Sequence, residues 1–197
     1  GSHLPDFTVI SPVFSTENSP IFYVASRGHH ADIGGITPGS IPPFSKTIYE
    51  EGIIIDNFLL LENGKLREKE FVDLLKDSDY PARNIDERKH DINAQIAAVM
   101  RGIKELDNLI SKYGLQTVNS YMHHIRKNSA EAMSDALEKY LDGKEAKENS
   151  FEDFLDDGSR ISVKINIMKD ETRDPPFYAI VDFSGTSPQT QNNLNAP

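Results

Sequence analysis

The sequence predicts an α+β fold, in which a mixed sheet with long loops carries an antiparallel pair of long helices packed on it. Three observations lead to this prediction. Runs of β-branched and aromatic residues lie towards both ends of the chain, apolar residues follow helical spacing in its middle, and glycine and proline cluster in between. A chain of 197 residues is long enough to bury a core as one domain. We expect a β and loop region over 1–66, a helical region over 67–143, and a β region with a tail over 144–197.

The first region contains the strand predictions that matter most for function. Extended runs predict strands at 7–14, 21–25 and 53–61. A chain reversal near 17–20 would lay the first two side by side. Residues 34–46 hold three glycines and three prolines and predict an ordered loop. Asn63-Gly64 predicts a tight turn after the third strand.

Helices are predicted over the middle of the chain. Residues 68–76 are predicted to form a short helix. Apolar residues keep three- and four-residue spacing over 92–110 and again over 115–141. Gly114 stands between these two runs at a favourable C-cap position, and we expect an antiparallel hairpin.

Residues 144–149 are charged and predict a solvated segment, whereas 161–168 and 178–183 predict two further strands.

Composition excludes several classes of protein. The net charge is −10, from 31 acidic and 21 basic residues. Binding to nucleic acid or to an anionic membrane surface needs clustered lysine and arginine, so neither partner is expected. No apolar run reaches transmembrane length, and no signal-peptide pattern opens the sequence. The chain has no cysteine, which excludes a disulfide scaffold, a thiolate zinc site and a cysteine nucleophile within these residues.

The most informative stretch is R-G-H-H-A-D-I-G-G at 27–35. It sets His29, His30 and Asp32 within four positions, and imidazole and carboxylate are the usual ligands of a catalytic divalent metal. Upstream, His3 and Asp6 begin the strand that would pair with this one. The five side chains are predicted to hold a divalent metal of unknown identity, with His29, His30 and Asp32 as the catalytic core. The sequence leaves open which histidine is the ligand.

Neighbouring residues have candidate roles in substrate binding. Arg27 suits a substrate carboxylate, because a guanidinium binds carboxylates in a bidentate manner; a salt bridge within the protein is the equal alternative. Gly34 and Gly35 could present backbone N–H groups to an anion, or simply form a turn. Gly1-Ser2-His3 also has the form of a cleaved affinity-tag remnant, so His3 is either native or vector-derived.

The chain resembles the hydantoinase B/oxoprolinase family. The resemblance rests on H-L-P-D-F-T-V-I-S-P-V-F at 3–14, on the run from 22 to 43 that contains H-H-A-D-I-G-G-I-T-P-G-S, and on four shorter matches. These are R-N at 83–84, D-I-N-A-Q-I-A-A at 91–98, D-D-G at 156–158 and D-F-S-G-T at 182–186, and N-L-N-A-P at 193–197 also matches. Within the family, the chain looks most like an internal piece of the eukaryotic-type ATP-dependent 5-oxoprolinases.

The resemblance implies a function and several partners. Such enzymes open the cyclic amide of 5-oxo-L-proline to L-glutamate, coupled to ATP hydrolysis. ATP with its Mg²⁺ would be bound by a hydantoinase A-like domain or subunit outside this chain. The resemblance also implies a divalent metal, a homo-oligomer in the full enzyme and a cytoplasmic location. The isolated piece is expected to be inactive.

Two alternatives stay open. The chain could belong to a hydantoinase B or acetone-carboxylase-type subunit of the same family. It could instead be a structural or oligomerisation segment without chemistry of its own.

Overall fold

The computed structural model describes residues 3–14, 18–193 and 195. The α+β class is confirmed, since three helices accompany small antiparallel sheets. The chain divides into two compact units. Unit 1 contains the described residues of 1–108 and 190–197, and unit 2 contains residues 109–189. The stretch 27–35, which carries the predicted site residues, lies in unit 1.

Unit 1 begins with a two-stranded antiparallel sheet. β1 is Asp6–Phe14 and β2 is Pro20–His29, and their register sets Asp6 opposite His29. Both predicted strands are therefore confirmed, although β2 extends four residues further than 21–25. The extension matters because it carries the strand through Arg27 and Gly28 to the first histidine of the loop.

The third predicted strand is wrong for most of its length. Residues 53–60 form no strand, and only the two-residue strands β3 (Leu61–Glu62) and β4 (Lys65–Leu66) pair here. Asn57 has a φ of 50°, a left-handed conformation that interrupts an extended run. The predicted turn is confirmed, with positive φ at both Asn63 and Gly64.

One short helix and most of a long helix complete unit 1. α1 is Glu68–Lys76, as predicted, and α2 is Ile85–Tyr113, which begins seven residues before the predicted helix. The core gathers residues from the strands, the loops and both helices. Its buried members are Phe7, Ile33, Ile53, Phe71, Leu75, Ala82 and Ile92. The core thus lies directly beside the loop that follows β2.

Unit 2 combines one long helix with a three-stranded sheet. α3 is Leu115–Leu141, as predicted, and the antiparallel sheet has the order β5-β6-β7. β6 (Arg160–Lys169) and β7 (Phe177–Asp182) match the predicted strands. β5 (Ala146–Phe154) begins inside the segment predicted to be solvated. The sequence did not predict this strand because its residues are mostly polar. They can be polar because β5 is an edge strand and almost every residue in it is exposed.

The arrangement of sheets and helices differs from the prediction. Three separate antiparallel sheets replace the single mixed sheet in the described residues. Most of α2 belongs to unit 1, whereas its last residues, 109–113, and all of α3 belong to unit 2. The buried residues of α2 all lie in its first half, in unit 1, whereas α3 contacts β6 and β7 in unit 2. Among the described residues, no helix is long and apolar enough to cross a membrane.

Candidate functional site

The two adjacent histidines at the end of β2 face different environments. The side chain of His29 is 53% exposed, whereas that of His30 is 1% exposed. Successive side chains of an extended strand point to opposite faces, and His29 is the last residue of β2. The loop motif is therefore split into an exposed half and a buried half.

The exposed half is a cluster of His3, Asp6, Arg27 and His29, here called the exposed cluster. Asp6 is at its centre. One carboxylate oxygen of Asp6 lies 2.9 Å from Nδ1 of His29 and the other lies 3.0 Å from a guanidinium nitrogen of Arg27. The hydrogen bonds from Arg27 and His29 hold the pKa of the Asp6 carboxyl below its usual value. The ring of His3 stacks on that of His29 with a centroid distance of 5.3 Å.

The hydrogen bond to Asp6 orients the His29 ring. When Nδ1–H donates to a carboxylate, the neutral imidazole carries its lone pair on Nε2. His3 is held in the same way, because its Nε2 lies 2.8 Å from the backbone oxygen of Ser40. A carboxylate that orients an imidazole is the arrangement found behind general bases and behind metal-binding histidines.

The buried half begins with His30, whose Nε2–H donates to the side-chain oxygen of Gln95 at 2.9 Å. Burial lowers the pKa of His30, although the Gln95 hydrogen bond acts in the opposite direction. The ring also lies against Phe7, at a centroid distance of 4.3 Å. His30 is therefore packed as a neutral side chain within unit 1.

Gln95 joins both strands to helix α2. Its amide nitrogen donates to the backbone oxygen of Phe7 in β1 at 2.9 Å and to that of Ser26 in β2 at 3.2 Å. Gly28 is needed at this crossing, since a Cβ there would lie 2.9 Å from the Gln95 side chain. Gln95 thus fixes the end of β2 on which the exposed cluster stands.

Asp32 accepts four hydrogen bonds. One oxygen accepts from the backbone N–H groups of Gly34 and Arg83, both at 3.0 Å. The other accepts from the backbone N–H of Gly39 at 2.8 Å and from the Arg83 guanidinium at 3.0 Å. Burial raises the pKa of the Asp32 carboxyl, but the donated hydrogen bonds outweigh burial and leave it below its usual value.

Gly34 and Gly35 are tightly enclosed by other backbone segments. Both have φ near +95°, and an added Cβ would lie 2.2 Å from the Tyr80 carbonyl oxygen at Gly34 and 2.6 Å from that of Glu51 at Gly35. Their N–H groups donate to Asp32 and to the Tyr80 backbone oxygen, respectively. Their predicted contact with substrate stays a prediction.

The predicted metal ligands do not fit a metal as one group. His3, Asp6 and His29 come together, but His30 and Asp32 are engaged by Gln95 and Arg83. No three histidine, aspartate or glutamate side chains within 3–14, 18–193 and 195 are arranged to hold a metal ion. A catalytic zinc site commonly has three protein ligands. We therefore derive no reaction step through a metal.

Sequence reasoning assigned no role to Arg83 or Gln95. Arg83 donates to the backbone oxygens of Thr37 and Gly35 as well as to Asp32, so it holds the loop from several sides. Both residues stand in stretches that carry the family resemblance, R-N at 83–84 and D-I-N-A-Q-I-A-A at 91–98. That position was the only sequence signal of their importance.

A solved structure shares this fold. The crystal structure of an ATP-dependent caprolactamase from Pseudomonas jessenii matches the whole chain with a TM-score of 0.78 and 25% identity, and the match covers 32% of that protein. The fold is thus similar to one part of a much longer protein.

The hydantoinase B/oxoprolinase family model matches residues 1–197, and the chain belongs to this family. Among similar curated proteins, 5-oxoprolinase 1 of Arabidopsis thaliana is 44% identical and 5-oxoprolinase of Dictyostelium discoideum is 42% identical, both over the whole chain. The 5-oxoprolinase of Saccharomyces cerevisiae is also 42% identical over the whole chain. The chain spans 16% of the length of the plant protein and 15% of the length of the other two.

Proposed function

We propose that the chain is a segment of an ATP-dependent cyclic amide hydrolase that opens 5-oxo-L-proline to L-glutamate. The similarity to 5-oxoprolinases supports the substrate, and the likeness to a caprolactamase supports the reaction class. ATP with its Mg²⁺ would be handled by a hydantoinase A-like part outside this chain. The homo-oligomer and the cytoplasmic location implied by the family resemblance belong to the same proposal.

The observation that carries the proposal is the hydrogen bond between His29 and Asp6. With Nδ1 held by the carboxylate, Nε2 of His29 acts as the general base. It takes a proton from water while the water oxygen bonds to the carbonyl carbon of the lactam and the C=O double bond opens to a single bond. When the C–N bond breaks, the same proton goes to the ring nitrogen, which becomes the amine of glutamate.

Arg27 supplies the complementary contact in this proposal. It lies two residues before His29 on β2, so the two side chains are on the same face of the strand. Its side chain is 51% exposed, and Asp6 uses only part of its five-donor guanidinium. Arg27 would therefore bind the carboxylate of 5-oxo-L-proline while His29 faces the lactam carbonyl.

The other predicted site residues have supporting roles here. His30 and Asp32 position the loop through Gln95 and Arg83, and Gly34 and Gly35 let it pass between neighbouring backbones. A divalent metal could use the imidazole nitrogens of His3 and His29, and its remaining ligands would come from elsewhere in the enzyme.

Turnover by the full-length enzyme tests the proposal. His29→Ala should lower the kcat for 5-oxo-L-proline by about 10²–10⁴-fold, the usual contribution of a general base. Arg27→Gln should instead raise mainly KM, because it removes a contact to the unreacting carboxylate. The matched control is His123→Ala, at an exposed position of α3, which should leave both constants unchanged. Wild-type turnover in His29→Ala would refute the role of His29.

A further inference from the structure

β1 borders an apolar cleft whose lining includes His3 and Asp6 of the exposed cluster. The cleft has a volume of about 710 Å³ and lies between residues 7–12, residues 53–61 and part of α2. Large apolar side chains on its lining stay exposed: Ile10 by 61%, Leu59 by 53% and Met100 by 55%. Contiguous exposed apolar surface of this kind marks an interaction site.

The lining indicates the chemistry of the occupant. His3 and Asp6, at one end, are the only ionisable residues among the described residues that line the cleft. The remaining lining is mainly aliphatic and aromatic, and its other polar side chains, Thr8, Ser11 and Asn57, are uncharged. A small polar molecule such as 5-oxo-L-proline would leave most of this surface exposed. An uncharged, extended apolar segment would cover it.

The strand edge indicates the conformation of the occupant. β1 has a strand on one side only, because its sheet in the described residues is the two-stranded β1-β2 pair. An open strand edge pairs readily with another strand, and two strands alone are marginally stable. Pro12 has no N–H to donate, and the backbone oxygen of Phe7 already accepts from Gln95, so pairing is expected over residues 8–11.

We propose that this cleft holds a β-strand from the part of the full-length polypeptide that lies outside these 197 residues. The similar oxoprolinases are roughly six times longer than this chain, which leaves ample chain to supply the strand. A tethered segment also meets the cleft at high effective concentration. The added strand extends the sheet to three strands and covers Ile10, Leu59 and Met100. This proposal rests on the proposed identity of the chain as a segment of a longer enzyme, but not on the role of His29 in ring opening.

Thiol labelling of the full-length enzyme tests the proposal. Because these residues contain no native cysteine, Ile10→Cys places a unique thiol within this stretch. In the native enzyme, the rate of maleimide labelling at Ile10→Cys should be more than ten times lower than the rate at the control, Tyr23→Cys. After unfolding, the two rates should be equal. Tyr23 lies on β2 outside the cleft and is 67% exposed. Equal labelling rates in the native enzyme would overturn the proposal.

Hydrogen exchange identifies what covers the cleft. In full-length Ile10→Asp, the β1 peptide and one apolar peptide outside residues 1–197 should lose protection together, whereas Tyr23→Asp should leave both protected. Loss of protection in β1 with no second peptide would overturn the proposal. Protection that disappears on dilution to the monomer would also overturn it, because a second copy would then be the occupant.

Discussion

His29 and His30 are neighbours in the chain, yet they belong to two different regions of the molecule. His29 stands in the exposed cluster, oriented by a carboxylate. His30 is buried, and its ring is held by Gln95 and packed on Phe7. One contiguous sequence motif therefore contains two kinds of residue, one exposed to solvent and the other holding the loop in place.

This division predicts two kinds of variant. Changes in the exposed cluster should alter turnover with little effect on folding, and changes in the buried half should lower the free energy of unfolding. Three predictions test the buried half, in order of decreasing expected effect.

Asp32→Ala should cause the largest loss of stability. It leaves the N–H groups of Gly34 and Gly39 and the Arg83 guanidinium without their acceptor. Since hydrogen bonds to a charged group are strong, we expect a loss of about 3 kcal/mol in the free energy of unfolding. Urea unfolding followed by circular dichroism measures this loss. The control is Asp79→Ala, at an exposed position, and a similar effect in both variants would contradict the prediction.

Gln95→Ala should cost about 2 kcal/mol, because it removes partners from His30 and from two backbone oxygens. Turnover of the full-length enzyme should fall as well, since the end of β2 loses its attachment to α2. Gln116→Ala, at an exposed position of α3, is the control and should have no effect. If Gln95→Ala lowers turnover while the unfolding midpoint is unchanged, the positioning role assigned to Gln95 is incorrect.

Substitution of His30 should change the free energy of unfolding least of the three, and the change should depend on pH. Burial lowers the pKa of His30 in the folded protein from its ordinary value of 6.5. As pH falls below 6.5, the unfolded chain takes up a proton that folded His30 resists, so the free energy of unfolding decreases with acidification. His30→Gln should show a shallower decrease between about pH 7 and 5. Parallel pH profiles for wild type and variant would exclude this contribution.

Much of the fold could be predicted from local sequence signals. α1 and α3 were bounded correctly, because apolar spacing and glycine positions act within each segment. β5 was missed because it is an exposed edge strand and lacks the apolar alternation that predicts a strand. Residues 53–60 were wrongly predicted as a strand because the left-handed conformation of Asn57 is set by the tertiary structure. The candidate site was likewise predicted only where local sequence signals were sufficient. The motif identified the right loop, but Arg83 and Gln95 reach it from 51 and 65 residues away in sequence.

The sequence by itself determined the family, the α+β class and the loop that carries the candidate chemistry, because these depend on a long contiguous motif and on local periodicity. Tertiary structure alone decided which histidine is exposed. The burial of each histidine depends on what packs around the end of β2. Helix α2 places Gln95 beside His30, whereas His29 is hydrogen-bonded to Asp6. A chain pattern records that both histidines are present, but only packing separates their environments.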